Sequence, residues 1–135
     1  MPKTFVPIHK FGKDHWSTFA YIDTRIMDYK GEPDRNHMRT DAKRHPGLTH
    51  DFSDLPDKEY PTILKGGVEL SNHDDWDCLE DCQEAGLLEI HGTGIYPVYI
   101  LTDSGRQVAS QLRDFKSNGG NYADFEVKGY RLEEF

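Results

Sequence analysis

The stretch HDDWDCLEDCQEAGLLEIHGTGIYPVYILTDSGRQVASQLRDFKSNGG, residues 73–120, decides the fold. Its beginning places Trp76, Leu79 and Cys82 at helical spacing, with carboxylates on the other face. This pattern predicts an amphipathic helix, and the residues that follow it predict two short strands and a second helix.

Capping residues set the limits of the first helix. Asn72 or Asp74 can cap its start, acidic residues fill its first turn, where the helix dipole favours them, and Gly86 supplies the stop. Residues 87–90 then predict a strand, and the glycines of residues 91–94 predict a turn.

The returning strand and the second helix follow from the same kind of pattern. Residues 96–102 predict the returning strand, and Thr102 can cap the helix after it. Three apolar residues line one face of that helix: Val108, Leu112 and Phe115. The sequence Asn-Gly-Gly at residues 118–120 ends the helix.

Two short motifs in this stretch resemble those of a known family. The segment CQEAGLL (residues 82–88), followed by a two-stranded turn and LTDSGR (residues 101–106), is similar to the helix, Ala-Gly-Leu, wing, Leu-Thr-x-x-Gly-Arg pattern of winged-helix proteins. The resemblance covers about a third of the chain and implies an α+β, winged-helix-like fold. In that family the helix before Ala-Gly-Leu is usually the one that lies in the DNA major groove.

Length and composition indicate one globular domain. The chain has 135 residues, of which 36% are hydrophobic and 30% charged, enough to bury a core without disulfides or metals. It contains no apolar run approaching ~18 residues and no basic-then-apolar leader. We therefore expect no membrane span, no secretory signal and a cytoplasmic location.

The first half predicts an arm followed by two helices. Pro2 and Pro7 favour an extended arm over residues 1–13, packed on the body through its aromatic residues. Residues 14–43 predict two helices, the first capped by Asp14 and running from residue 15 to about residue 29, the second over residues 34–43.

The remaining segments elaborate the winged-helix pattern. Residues 44–72 form a long insertion between the second and third helices, in which residues 60–64 and 68–70 predict a hairpin around Lys-Gly-Gly. Residues 121–135 form an aromatic tail, extended or in a terminal strand.

Charge is unevenly distributed along the chain. Residues 1–50 contain nine Lys/Arg and six Asp/Glu, whereas residues 51–135 contain seven and eighteen. The acidic helix has no basic residue, so a protein partner with a basic surface, or a second copy in a homodimer, suits it better than DNA. The residues predicted to bind such a partner are Asp74, Asp75, Asp77, Glu80, Asp81 and Glu84. Aromatic residues exposed on the arm and tail would anchor the interface.

Nucleic-acid binding is an alternative through the basic N-terminal half. The candidate phosphate-binding residues are Arg25, Arg35, Arg39, Lys43 and Arg44. A solvated basic face explains the same residues.

Metal binding is a further alternative, because the chain has seven histidines. The candidate ligands of zinc, iron or manganese are His15, His37, His45, His50 and His73. Their spacing matches no metal motif, so structural or surface roles stay open. Cys78 and Cys82 are predicted to be reduced core residues, with metal or redox duty as the alternative.

No catalytic motif is present, although His37 or His45 could act as a base oriented by Asp41 or Asp51. The leading hypothesis is therefore a non-enzymatic protein-interaction or regulatory module without a cofactor. A nucleic-acid-binding regulator and a metal-dependent enzyme are the alternatives.

Overall fold

The computed structural model describes residues 5–29, 61–70, 73–92 and 97–127. In these ranges the chain forms three α-helices and two antiparallel pairs of strands, which confirms the predicted α+β class. The elements in chain order are α1 (Lys13–Tyr29), β1 (Thr62–Ile63), β2 (Glu69–Leu70), α2 (Asp75–Glu84), β3 (Leu88–Gly92), β4 (Pro97–Leu101) and α3 (Asp103–Ser117). The predicted second helix, residues 34–43, lies outside the described residues.

Helix α1 begins at Lys13, before the predicted start. The prediction that Asp14 caps the helix is wrong, because Asp14 lies inside the first turn. Its Oδ2 instead accepts a hydrogen bond of 2.6 Å from the Ile63 N–H. The carboxylate thus ties α1 to β1, a partner that local sequence does not reveal.

Helix α2 has the predicted cap and the predicted stop. Asp74 Oδ1 accepts from the Asp77 N–H at 3.1 Å, and Asp77 Oδ2 accepts from the Asp74 N–H at 3.1 Å, which is a capping box. Gly86 has φ of 83°, the left-handed conformation that commonly ends a helix.

Strands β3 and β4 form the wing between α2 and α3. They pair antiparallel with Leu88 opposite Leu101 and Ile90 opposite Tyr99. His91 and Gly92, predicted to belong to the turn, instead continue β3 and pair with β4. The ladder reaches Gly92, which pairs with Pro97 at the start of β4. Residues 93–96 lie outside the described residues.

Thr102 joins the end of α2 to the start of α3. Its Oγ1 accepts from the Gly105 N–H at 2.9 Å, which caps α3 as predicted, and donates to the Gly86 carbonyl at 2.5 Å. The Thr102 N–H donates to the Leu87 carbonyl at 3.1 Å. A Cβ at Gly105 would lie 1.9 Å from the Leu87 oxygen, so only glycine permits this approach. The two motifs therefore form one packing unit.

We predict that Thr102→Val lowers the free energy of unfolding by about 1–2 kcal/mol, because the cap and the hydrogen bond to Gly86 are lost while the side chain keeps its shape. Urea unfolding measures this change. The control is Thr24→Val, since the exposed Thr24 hydroxyl only bonds back to the Ala20 carbonyl of its own helix; that variant is expected to stay within about 0.5 kcal/mol. Equal stability of the two variants would contradict the prediction.

The described part of the insertion is the predicted hairpin. Strands β1 and β2 pair antiparallel, with Thr62 opposite Leu70 and Ile63 opposite Glu69. Gly66 and Gly67 both have φ of 83°, the conformation for which glycine is suited in a tight turn. The hairpin places Thr62, which is fully buried, beside the segment that leads into α2.

The arm and the tail contribute to the core. We call residues 5–11 the N-terminal strap; it is extended at Pro7 and Phe11, and a 3₁₀ turn at Ile8–Lys10 interrupts the predicted extended arm. Phe11 of the strap and Phe125 of the tail are only 1% and 3% exposed, and the Phe125 ring packs edge-on against Trp16 at 4.9 Å. These two aromatic residues stabilise the core and cannot serve as the exposed anchors predicted for an interface.

Helices α1, α2 and α3 and the wing enclose one hydrophobic core. Its largest fully buried side chains include Trp16, Phe19, Ile22, Trp76 and Tyr99. Arg113 of α3 makes two hydrogen bonds, of 2.9 and 3.3 Å, to Asp23 of α1 at the edge of this core. None of the helices in the described ranges has the length and apolar character needed to cross a bilayer.

Candidate metal centre

Four side chains meet where α2 packs against the start of α1. They are His15, His73, Cys78 and Asp81, with exposed fractions of 0%, 8%, 0% and 1%. The first turn of α1 supplies His15, and the residue before the cap of α2 supplies His73. Cys78 and Asp81 lie one turn apart on α2 and therefore share a face.

Asp81 is at the centre of this cluster. Its Oδ2 lies 2.8 Å from Nε2 of both His15 and His73, and its Oδ1 accepts a hydrogen bond of 3.0 Å from the Val6 N–H. Burial alone would raise the pKa of Asp81, but the two histidines outweigh it and hold the pKa below its ordinary value. Asp81 is therefore a buried, ionised carboxylate at neutral pH.

His15 is a neutral donor to that carboxylate. Burial lowers the pKa of His15 below its ordinary value, although the neighbouring Asp81 acts in the opposite direction. Because Asp81 accepts, the hydrogen-bond pattern assigns the proton of His15 to Nε2 and leaves a lone pair on Nδ1. Nδ1 is buried and has no hydrogen-bond partner in the described part of the chain.

Thr62 determines which nitrogen of His73 carries the proton of the neutral ring. The Thr62 hydroxyl donates to the His73 carbonyl at 2.5 Å, and its oxygen also lies 2.9 Å from His73 Nδ1. Since the hydroxyl has one proton and uses it on the carbonyl, its oxygen accepts from Nδ1–H. The neutral ring of His73 therefore has its lone pair on Nε2.

This assignment places two electron-rich atoms against each other. His73 Nε2 lies 2.8 Å from Asp81 Oδ2, the distance of an ion pair, although the contact does not have the geometry of a hydrogen bond. A nitrogen lone pair and a carboxylate oxygen at this distance repel each other, so the contact calls for a positive charge. A proton on His73 Nε2 fits between the two atoms, whereas a metal ion would have to lie beside them, because metal–ligand distances of about 2 Å leave no room on the line between them.

Cys78 adds a sulfur atom beside His73. Its Sγ lies 3.9 Å from His73 Nδ1 and 3.5 Å from Thr62 Oγ1. His15, His73 and Cys78 each offer a ligand atom within 4.8 Å of the other two. Neither cysteine is in a disulfide and both are buried, as expected of core residues, and burial strongly raises the pKa of the Cys82 thiol.

The same atoms could be interpreted as a Cys–His–Asp nucleophilic triad. Cys78, His73 and Asp81 do lie in that order. A nucleophilic cysteine has to reach a substrate, however, and Cys78 has no exposed surface. His73 Nδ1 is also already used by Thr62. Metal ligation fits the donor set better, because imidazole, thiolate and carboxylate are the usual ligands of Zn²⁺.

The structure brings together two of the five predicted metal ligands, His15 and His73. The other three, His37, His45 and His50, lie outside the described residues, as do Asp41 and Asp51. For Cys78, metal duty was only the alternative to a core role, and Asp81 was missed as a member of the cluster. The available signal was their spacing of three on the helix, which places both on the buried face.

Helix α2 does not present the predicted acidic face to solvent. Four of the six carboxylates assigned to partner binding are at most 7% exposed: Asp74, Asp75, Asp77 and Asp81. Asp74 and Asp77 form the capping box, and Asp75 Oδ1 accepts from the Thr18 hydroxyl of α1 at 3.2 Å. Their assignment to an exposed face is wrong because α1 and the strap cover this side of α2.

Of the other residues predicted to bind a protein partner or nucleic acid, three lie on the described helices. Glu80 is partly exposed and Glu84 is exposed on α2, and Arg25 is partly exposed on α1. The remaining members of the basic set, Arg35, Arg39, Lys43 and Arg44, lie outside the described residues. A nucleic-acid role for them stays a prediction.

No family model, no curated protein and no solved structure matches this chain.

Proposed function

We propose that this chain is a winged-helix-like, non-enzymatic regulatory module that binds one transition-metal ion at His15, His73 and Cys78, beside the carboxylate of Asp81. The observation that carries the proposal is that His15, His73 and Cys78, all buried, bring ligand atoms within 4.8 Å of one another. Two buried ring nitrogens of this cluster, Nδ1 of His15 and Nε2 of His73, have no hydrogen-bond partner in the described residues. An ion bound here would lie beside the Asp81 carboxylate, whose negative charge favours a cation.

The donor set favours zinc. Two imidazoles, a thiol that can lose its proton and one carboxylate form a borderline-soft set, whereas Ca²⁺ and Mg²⁺ prefer sites made of oxygen atoms. The hydrogen bond from His73 Nδ1 to Thr62 also has the form found around metal-binding histidines, whose second nitrogen usually donates to a fixed partner.

The burial of the site argues against a catalytic role. A catalytic zinc ion keeps a position open for water or substrate, while structural sites are closed by protein ligands. All four side chains are at most 8% exposed. This supports the non-enzymatic module over the metal-dependent enzyme.

The helix–wing–helix order of α2, β3, β4 and α3 and the close approach of Gly105 to Leu87 support the winged-helix assignment. Nothing supports the binding of α2 in a DNA groove. The residues of α2 that are exposed to solvent are Glu80, Gln83 and Glu84, and none of them can neutralise a phosphate. Of the six carboxylates predicted to bind a basic protein partner, only Glu80 and Glu84 are exposed to solvent on α2.

Metal titration of the tag-free, chelator-stripped protein tests this proposal. We expect one Zn²⁺ or Co²⁺ ion per chain, and we expect His15→Gln and His73→Gln each to weaken binding by more than about 100-fold, beyond the loss typical of outer-shell residues. A near-ultraviolet charge-transfer band of the Co²⁺ form, lost in Cys78→Ser, would identify the thiolate ligand.

The matched control is His91→Gln, since the side chain of His91 is 60% exposed on β3, away from the cluster. It should bind the ion as the original chain does. Absence of stoichiometric binding, or equal losses in the control, would overturn the proposal.

A further inference from the structure

The N-terminal strap is attached directly to the centre of the candidate site. The Val6 N–H donates to Asp81 Oδ1 at 3.0 Å, across 75 positions of sequence. The opposite oxygen of the same carboxylate lies against both histidines. Any change in the position of Asp81 is therefore transmitted to the backbone of the strap.

The strap also covers His15. The Phe11 ring stacks on the His15 ring with 4.3 Å between centroids and 7° between planes, and it meets Trp16 edge-on at 5.2 Å. Phe11 is 1% exposed, so the strap closes this side of the site.

The far end of the strap is fixed, while one side of it is loosely packed. A Cβ at Gly12 would lie 2.0 Å from the Ile63 oxygen, so the backbone is in close contact with β1 at that point. A cavity of about 230 Å³ lies beside the strap, with Ile8, Phe11, Trp16 and Phe125 in its lining. The strap thus has a firm attachment at Gly12 and free volume next to its apolar side chains, which is the arrangement a hinged cover needs.

We infer that the N-terminal strap is the gate of the metal site, so that an ion enters and leaves when the strap lifts and a bound ion holds the strap down through Asp81. This inference rests on the proposed metal binding. It adds regulation, because metal occupancy sets whether the strap stays docked over His15 and Trp16. Its physical basis is that outer-shell hydrogen bonds orient metal ligands and affect affinity.

Two variants at one position separate the backbone hydrogen bond from side-chain packing. Val6→Pro removes the N–H that bonds Asp81, whereas Val6→Ala keeps it and shortens the side chain. Zinc release from the loaded full-length protein into excess chelator is followed by stopped flow. We expect release from Val6→Pro to be about 10–100-fold faster than from the original chain, and Val6→Ala to differ by less than about threefold.

Hydrogen exchange of the original chain provides an independent measurement. The amides of residues 5–11 should exchange more slowly with Zn²⁺ than without it, while those of the β1–β2 turn should not change. Equal zinc-release rates for Val6→Pro and the original chain would overturn the gate and leave the proposed function intact. The same holds if the exchange rates of the strap amides are equal with and without Zn²⁺. Failure of the original chain to bind Zn²⁺ would overturn both.

Discussion

Gly105→Ala is expected to destabilise the protein by about 3 kcal/mol, at the upper end of the range for overpacking. In an ordinary helix interior the same substitution stabilises by about 1 kcal/mol, so the sign is reversed here. The reason is that the new Cβ would lie 1.9 Å from the Leu87 oxygen and 2.9 Å from its carbonyl carbon. These are backbone atoms, and the Leu87 carbonyl is also held by the Thr102 N–H, so a side-chain rotation cannot relieve the contact.

Urea unfolding of the Gly105→Ala variant measures this effect. The control is Ser110→Ala on the exposed face of the same helix, which should change the free energy of unfolding by less than about 0.5 kcal/mol. A Gly105→Ala variant that is as stable as the original chain, or more so, would show that α3 does not approach the end of α2 this closely.

Local signals explain why the second half of the fold could be predicted. Asp74 and Gly86 act through hydrogen bonds or dihedral angles within a few residues of their own position, and Thr102 caps its own helix. The pattern of apolar residues then supplies the helix and strand periods between these boundaries. The close contact of Gly105 with Leu87 could not be derived this way, because it joins residues separated by the whole wing.

Asp14 shows where the same reasoning fails. Asp at the start of an apolar-periodic run is a common cap, and the sequence offers no reason to assign it otherwise. Its partner is the Ile63 N–H, 49 positions away. A long-range partner of this kind overrides the local preference and lets α1 begin at Lys13.

The candidate site was only half predictable for the same reason. Carboxylates on a helix are expected to be solvated because burial of an unpaired charge is costly. Asp81 is buried because His15, 66 positions away, and Val6 satisfy its oxygens. His15 and His73 were predicted as ligands from residue type alone, and their convergence depends on the packing of α1 against α2.

The second prediction with a large effect concerns Asp81 in the metal-stripped protein. Asp81→Asn is expected to lower the free energy of unfolding by about 1.5–3 kcal/mol, the contribution of a buried hydrogen bond to a charged group. The carboxylate accepts from Val6 on one oxygen and from His15 on the other. An amide has one oxygen, so its NH₂ group must face one of these donors. Glu84→Gln, at an exposed position of the same helix, is the control, and urea unfolding compares the two.

A triple apolar variant separates a functional role of the cluster from a purely structural one. A buried polar group is costly when half satisfied, but its complete replacement by apolar residues of similar volume is often neutral or stabilising. We therefore expect the triple variant His15→Leu/His73→Leu/Asp81→Leu to recover most of the stability lost in Asp81→Asn. The recovery should fall short by about 1 kcal/mol, because the Val6 N–H loses its acceptor.

The same variant should bind no Zn²⁺. Recovered stability with lost metal binding would mean that these polar residues are not needed for folding and serve the ion. A triple variant as unstable as Asp81→Asn, in a chain that binds no metal, would instead make the cluster a structural network.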